Sequence, residues 1–183
     1  MALNSRGTAP RNEDKSVRIA THAPVVKECF ALVNPELVIE HGMGNSSTAL
    51  FHSLTPKKFM SFEDVQEWQV CPTTCDGKMH TITTWSLEVL KIALQSEQPE
   101  RILGFVDGIS CQRQPTLEMM LEHGIICVIE HDAEYLSCDE LTFRKNLCDK
   151  FGYEMKQYIL LNPETLVYAK HELIVKLDVE AYM

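Results

Sequence analysis

The sequence predicts an α/β fold: a doubly wound, mostly parallel sheet with a C-terminal antiparallel hairpin. Three observations lead to it. Five short apolar runs of strand type alternate with segments of helical spacing, and parallel neighbours need such crossovers. The chain of 183 residues has the length of one domain with its own core. Two β-rich runs close it, separated by Asn162-Pro163-Glu164, a connection suited to a hairpin.

Each element has a local reason. Pro24 fits the first turn of a helix whose apolar face is Val25, Val26, Cys29, Phe30 and Val33, and Asn34-Pro35 ends it. Residues 37–39 form a β-type run that leads into Glu40-His41-Gly42-Met43-Gly44-Asn45-Ser46-Ser47. Ala49, Leu50, Phe51 and Leu54 then carry helical spacing, so the glycines stand at a strand-to-helix turn. Residues 58–62 and 79–83 give the second and third strands, and Ser86 caps a helix over 87–95. A buried strand over 101–106 ends at Asp107-Gly108; 115–123 reads as a helix closed by Gly124; 125–129 is another buried strand, ending at Glu130-His131-Asp132. Ser137 and Glu140 make a capping box for a helix reaching Phe151, with Gly152 as terminator. The closing β runs cover 153–161 and 165–175, with one antiparallel strand expected at the sheet edge.

Composition removes several function classes. The hydrophobic fraction of 45% and charged fraction of 23% exclude collagen-like and wholly disordered chains. No apolar run approaches the roughly 20 residues of a membrane-spanning helix. With 17 Lys+Arg against 26 Asp+Glu, net −9, nucleic acid is not the expected partner, because phosphate backbones call for the opposite charge. Seven cysteines, an odd number without a secretory segment ahead of them, point to free thiols and a cytoplasmic location. Cys71 and Cys75 lie near His80, but a single CxxxC without a second pair does not make a zinc site. Residues 1–16, almost without apolar side chains, read as a flexible tail, and 17–183 as the single domain.

In an open sheet of this kind the ligand crevice lies beyond the carboxyl ends of the strands. That rim would gather Glu40 to Ser46, Glu63, Asp107 and Glu130 to Asp132. Gly42 and Gly44 allow close backbone approach, and the helix start that follows favours a carboxylate or phosphate. Glu63, at the end of the second strand, suits the two hydroxyls of a ribose. His41 and His131 are the titratable side chains of the rim suited to proton transfer at neutral pH.

Residues 38–47, V-I-E-H-G-M-G-N-S-S, resemble the first motif of class I S-adenosylmethionine-dependent methyltransferases, in the branch with E-x-G-x-G-x-S. Ser61-Phe62-Glu63 with Trp68 resembles its second motif, Phe105-Val106-Asp107-Gly108 with Arg113 its V-D-G segment, and 124–132 its fifth strand ending in His-Asp. Residues 165–170 resemble its last antiparallel strand. The resemblance implies a Rossmann-like sheet of order 3-2-1-4-5-7-6 and S-adenosylmethionine as cofactor. It implies contacts from Glu40, Gly42 and Gly44 to the amino-acid part of the cofactor, from Glu63 to its ribose, and from residues near Thr84 and Trp85 to its adenine, with His41 and Asn45 of the same turn also expected to bind the cofactor. Asp107 would border the methyl-transfer centre, and His131 and Asp132, at the end of the adjacent fifth strand, are expected to face the methyl donor with it as catalytic residues. The chain departs from the pattern in lacking an acid just after the third strand and in having almost no insertion for substrate recognition.

The leading reading is therefore a small methyltransferase acting on a small-molecule acceptor. A divalent cation shared by Asp107 and Asp132 is chemically admissible but not expected, and a homo-oligomer is compatible with the sequence. The alternative is an inactive methyltransferase-like protein that keeps the scaffold for binding or regulation. A nicotinamide-dependent oxidoreductase ranks last, because Ser47 stands where G-x-G-x-x-G needs its third glycine.

Overall fold

The computed structural model describes residues 22–44, 46–69, 79–97, 100–133, 136–158 and 164–177. The tail expected at 1–16, the hairpin connection Asn162-Pro163, Asn45, Cys71 and Cys75 lie outside these.

In chain order the elements are α1 (Ala23–Val33), β1 (Leu37–His41), α2 (Ser47–Leu54), β2 (Lys58–Phe62), β3 (Met79–Thr83), α3 (Leu87–Glu97), β4 (Ile102–Val106), α4 (Ser110–Glu122), β5 (Cys127–His131), α5 (Cys138–Phe151), β6 (Glu154–Tyr158), β7 (Thr165–Ala169) and α6 (His171–Ile174). A 3-10 turn, Gln66–Trp68, follows β2. The strands make one sheet of order β3-β2-β1-β4-β5-β7-β6. β1 to β5 run parallel, while β7 pairs antiparallel with both β5 and β6. This is the strand order that the methyltransferase resemblance implies.

Strands β1, β4, β5 and β7 are buried along their whole length, as expected of strands covered on both faces. Successive side chains divide between two cores. On one face Leu37, Ile39, Val106 and Val128 pack with Leu117, Met120 and Leu121 of α4 and Leu90 of α3. On the other, Val38, Leu103, Phe105, Cys127 and Ile129 meet Val25, Val26 and Cys29 of α1 and Phe51 of α2.

The local end signals behave as expected. Ser137 and Glu140 form the reciprocal capping box of α5, and Gly152 closes it in the left-handed conformation. α1 carries Pro in its first turn and ends at Asn34 with φ 46°. Three expectations need correction. α4 starts at Ser110, five residues before the expected start, because the amides of Gln112 and Arg113 already bond the carbonyl of Ile109 and Pro115 is tolerated one turn further in. The run over 165–175 is not one strand: β7 stops at Ala169 and residues 171–174 form a helical turn anchored on the carbonyl of Lys170. The antiparallel strand is also not at the edge, since β7 sits between β5 and β6 and leaves β6 outermost.

Candidate functional site

The turn after β1 is shaped by contact with the turn after β4. Gly42 has φ 87°, and a β-carbon there would stand 2.5 Å from the carbonyl carbon and oxygen of Asp107. A β-carbon on Gly108 would in turn overlap the ring of His41. These glycines are needed for close approach of backbone to backbone and backbone to ring. Gly44 differs: a β-carbon there would meet only Ser47 Oγ, at an ordinary contact distance of 3.6 Å, while its amide donates to Thr48 Oγ1 at 3.3 Å and its carbonyl accepts from the Thr48 amide at 3.2 Å, so there is room beside it but its polar groups are held by α2.

Glu40 and His41 lie within β1 and are fully enclosed. Glu40 accepts hydrogen bonds from Ser47 Oγ (2.7 Å), Thr48 Oγ1 (2.9 Å and 3.0 Å) and Ser61 Oγ (2.7 Å). Burial pushes its carboxyl up to about 7, against the pull of those hydroxyls. His41 Nε2 donates to Gln112 Oε1 at 3.1 Å, and burial holds the ring down at about 4, so it is neutral at ordinary pH. Glu63, also buried, fixes the glycine turn: its Oε2 accepts from the amide of Met43 at 3.0 Å and its Oε1 from the amide of Val65 at 2.9 Å. Each oxygen keeps a second lone pair for a further donor.

Thr84 is exposed and Trp85 half-buried. The amide of Trp85 donates to Asp64 Oδ1 (2.9 Å), and its indole N–H donates to Thr116 Oγ1 (2.9 Å). Gln112 Nε2 donates to Asp64 Oδ2 at 2.6 Å, so Gln112 links the end of β2 to His41. Neither Asp64 nor Gln112 carried a sequence signal.

The ends of β4 and β5 hold the charged centre. Arg113 Nη2 lies 3.1 Å from Asp107 Oδ1 and 3.3 Å from Asp132 Oδ2. Arg113 Nη1 donates to the carbonyl of His131 (2.6 Å) and Nε to that of Gly108 (2.7 Å). His131 Nδ1 faces the remaining oxygens, Asp107 Oδ2 at 3.4 Å and Asp132 Oδ1 at 3.3 Å, which is ion-pair distance. Behind it His131 Nε2 lies 3.3 Å from Nδ1 of buried His22. Asp132 holds a left-handed φ of 58°, a conformation aspartate tolerates better than most residues.

Two carboxylates against one guanidinium leave a negative charge that a proton on His131 would balance. Burial works against that proton, but the carboxylates of Asp107 and Asp132, at ion-pair distance, outweigh it and raise the His131 pKa. Burial likewise raises the Asp107 carboxyl, and His131 and Arg113 overcome it, leaving it below its usual value. His22 is pushed down to about 4 by burial and by its neighbour His131. The ligand atoms of Asp107, His131 and Asp132 lie within 4.8 Å of one another, but Arg113 already holds both carboxylates.

Asp107, His131 and Asp132 are thus brought together, while Gly44 and Glu63 stand at the neighbouring strand ends. Glu130 leaves the expected rim. It precedes His131 in the same strand and points to the other face, where Arg144 binds it through 2.6 Å and 2.8 Å contacts and Tyr168 Oη donates at 2.6 Å. His22 was missed altogether, for its partner is 109 positions away.

No protein-family model and no curated protein sequence matches the chain. Solved structures do resemble it. The methyltransferase domain of bacterial CtHen1 superposes with a TM-score of 0.57 at 13% identity, over 81% of this chain and 97% of that one. An apo structure of CmcI gives 0.57 at 14% identity, over 92% and 81%. The N-methyltransferase NodS from Bradyrhizobium japonicum WM9 gives 0.50 at 12%, over 80% and 91%. At these identities the likeness is one of fold: a Rossmann-like, seven-stranded sheet of the class I methyltransferase type.

Proposed function

We propose that the protein is an S-adenosylmethionine-dependent methyltransferase with a small-molecule acceptor. The observation that carries this reading is the placing of the glycine turn against Glu63, whose carboxylate is bonded to the Met43 amide of that turn and keeps a lone pair on each oxygen. Strand order and the methyltransferases among the structural neighbours support it. The residues fit the donor: Gly44 and the start of α2 suit its amino-acid end, and Glu63 its ribose hydroxyls. No described helix is long and apolar enough to cross a membrane, and the five described cysteines are free, in keeping with a reducing compartment.

The donor supplies an activated methyl group at its sulfonium, so the protein's task is alignment. Asp107 and Asp132, with side chains 25% and 29% exposed against 10% for His131, are the groups an acceptor meets first. Arg113 fixes both, and His131 behind them holds the balancing proton; as an imidazolium it orients the carboxylates, and the proton released by a hydroxyl or ammonium acceptor passes to solvent at the exposed edge of Asp107 and Asp132.

Titration calorimetry with S-adenosylhomocysteine tests the reading. Wild type should bind, and Glu63→Ala should bind at least tenfold more weakly, since hydrogen bonds to a charged group contribute roughly 1.5 to 3 kcal/mol each. Absence of heat in wild type at sub-millimolar ligand would refute it. One observation favours the second reading, a binding or regulatory module: Arg113 and His131 already neutralise both carboxylates. Ligand binding without methyl transfer to any of a panel of small hydroxyl and amine acceptors would select it.

A further inference from the structure

A second line of titratable side chains runs through the sheet, apart from the acid–histidine cluster. His52, partly exposed in the last turn of α2, has Nε2 3.0 Å from Nδ1 of His80 on β3. His80 Nε2 lies 2.9 Å from Ser61 Oγ on β2, and Ser61 Oγ lies 2.7 Å from Glu40 Oε2 on β1. Phe59 stacks on His80 at 4.3 Å and meets His52 edge-on at 5.3 Å, which orients both rings. We propose that His52, His80, Ser61 and Glu40 form a proton relay from the outer side of α2 to the carboxyl beneath the glycine turn, so that the charge under that turn follows the proton activity of the medium.

The direction of each hydrogen follows from the ends of the chain. An ionised Glu40 only accepts, so the Ser61 hydroxyl points its hydrogen at Glu40. His80 Nε2 must then carry hydrogen to donate to Ser61, its Nδ1 accepts, and His52 Nε2 carries hydrogen. When His52 takes a proton on its other nitrogen, each hydrogen advances one place. The one on His52 Nε2 passes to His80 Nδ1, the one on His80 Nε2 to Ser61 Oγ, and that of Ser61 to Glu40 Oε2. One proton enters, one O–H bond forms on Glu40, and both rings end neutral as the opposite tautomers with every hydrogen bond reversed.

The surroundings suit such a relay. α2 faces Glu40 with Ser47 and Thr48, β2 with Ser61, β3 with His80 behind Ser61, and the end of β4 with the charge of Asp107. Burial sets the Glu40 carboxyl at about 7, within the physiological range. Burial and the neighbouring His52 hold His80 at about 4, so it conducts as a neutral ring. If the turn binds a cationic donor as proposed above, the ionised form is the one that favours it, but the relay itself does not depend on that reading.

Two-bond 15N–1H correlation spectra of the ligand-free full chain test it, because they read the tautomer of each ring. His80 and His52 should change together from Nε2–H to Nδ1–H as the pH falls through about 7, the midpoint set by Glu40. Glu40→Gln should freeze both rings, and Ser61→Ala should uncouple His80 while leaving it neutral. A wild-type His80 that keeps one tautomer across this range, or becomes imidazolium in it, overturns the relay, as does a switch that survives Glu40→Gln. Should Glu40→Gln fail to fold, the wild-type and Ser61→Ala spectra decide by the same criteria.

Discussion

The backbone of Asp107 occupies the place of a side chain on Gly42: a β-carbon on Gly42 would stand 2.5 Å from the Asp107 carbonyl carbon. The turns after β1 and β4 are pressed together there, while a β-carbon on Gly44, two residues on, would make only an ordinary contact with Ser47 Oγ at 3.6 Å. Gly42→Ala should therefore destabilise the fold by roughly 2 to 4 kcal/mol, from overlap and a left-handed φ together. Gly44→Ala should change stability by less than about 1 kcal/mol yet weaken S-adenosylhomocysteine binding at least tenfold. Thermal melts and calorimetry on the pair check this, and a Gly44→Ala protein that binds as wild type would remove Gly44 from the ligand site.

Arg113 and Asp132 should move the His131 pKa in opposite directions. The guanidinium lowers it and the carboxylate raises it, so Arg113→Met should raise the midpoint of His131 further and Asp132→Asn should lower it. Asparagine also tolerates the left-handed backbone at 132, which confines that change to the charge. Histidine proton shifts followed against pH provide the measurement. Arg113→Met should in addition cost roughly 3 kcal/mol, because two part-buried carboxylates lose their partner.

Glu40 and two buried histidines should shape stability against pH with opposite signs. The Glu40 pKa rises from 4.5 to about 7 on folding, so its contribution is fully present below 4.5 and lost as pH rises through 7. A shift of this size corresponds to about 3 kcal/mol. His22 and His41 fall from 6.5 to about 4; their contribution is present above 6.5 and lost as pH falls through 4. Urea midpoints of wild type should drop steeply on the acid side. Glu40→Gln should gain on wild type between pH 4.5 and 7 and hold that gain above it; a difference curve flat across the window would mean that Glu40 is ionised throughout.

On the far face of β5, Glu130→Gln should cost roughly 3 to 5 kcal/mol, since it leaves Arg144 buried without a counter-charge. Tyr168→Phe removes one hydrogen bond to that carboxylate and should cost about 2 kcal/mol. Equilibrium urea unfolding distinguishes the two, and equal costs would contradict the ion pair's dominance.

What the sequence by itself determined is what lies within one turn or one strand. The α5 capping box spans three residues, Pro24 and Asn34 bound α1 through their own backbone preferences, and uninterrupted apolar runs marked β4 and β5. The alternation of these runs carried the α/β class, and the glycine turn with Glu63 carried the candidate ligand rim. The start of α4 escaped, because Pro115 looks like a first-turn residue and the hydrogen bonds to the Ile109 carbonyl have no signature in side-chain type.

Only the tertiary structure decided which of the rim acids face one another. Strand alternation sends Glu130 and His131 to opposite faces, so one joins Arg144 and the other joins Asp107 and Asp132. Arg113 meets both carboxylates through a helix that had to begin earlier than its proline suggests, and His22 reaches His131 only because α1 packs over β4 and β5. Burial then sets the chemistry: Glu40 and His41 are adjacent, yet desolvation raises one pKa and lowers the other. Desolvation belongs to a packed environment, and that environment exists only once distant segments have come together.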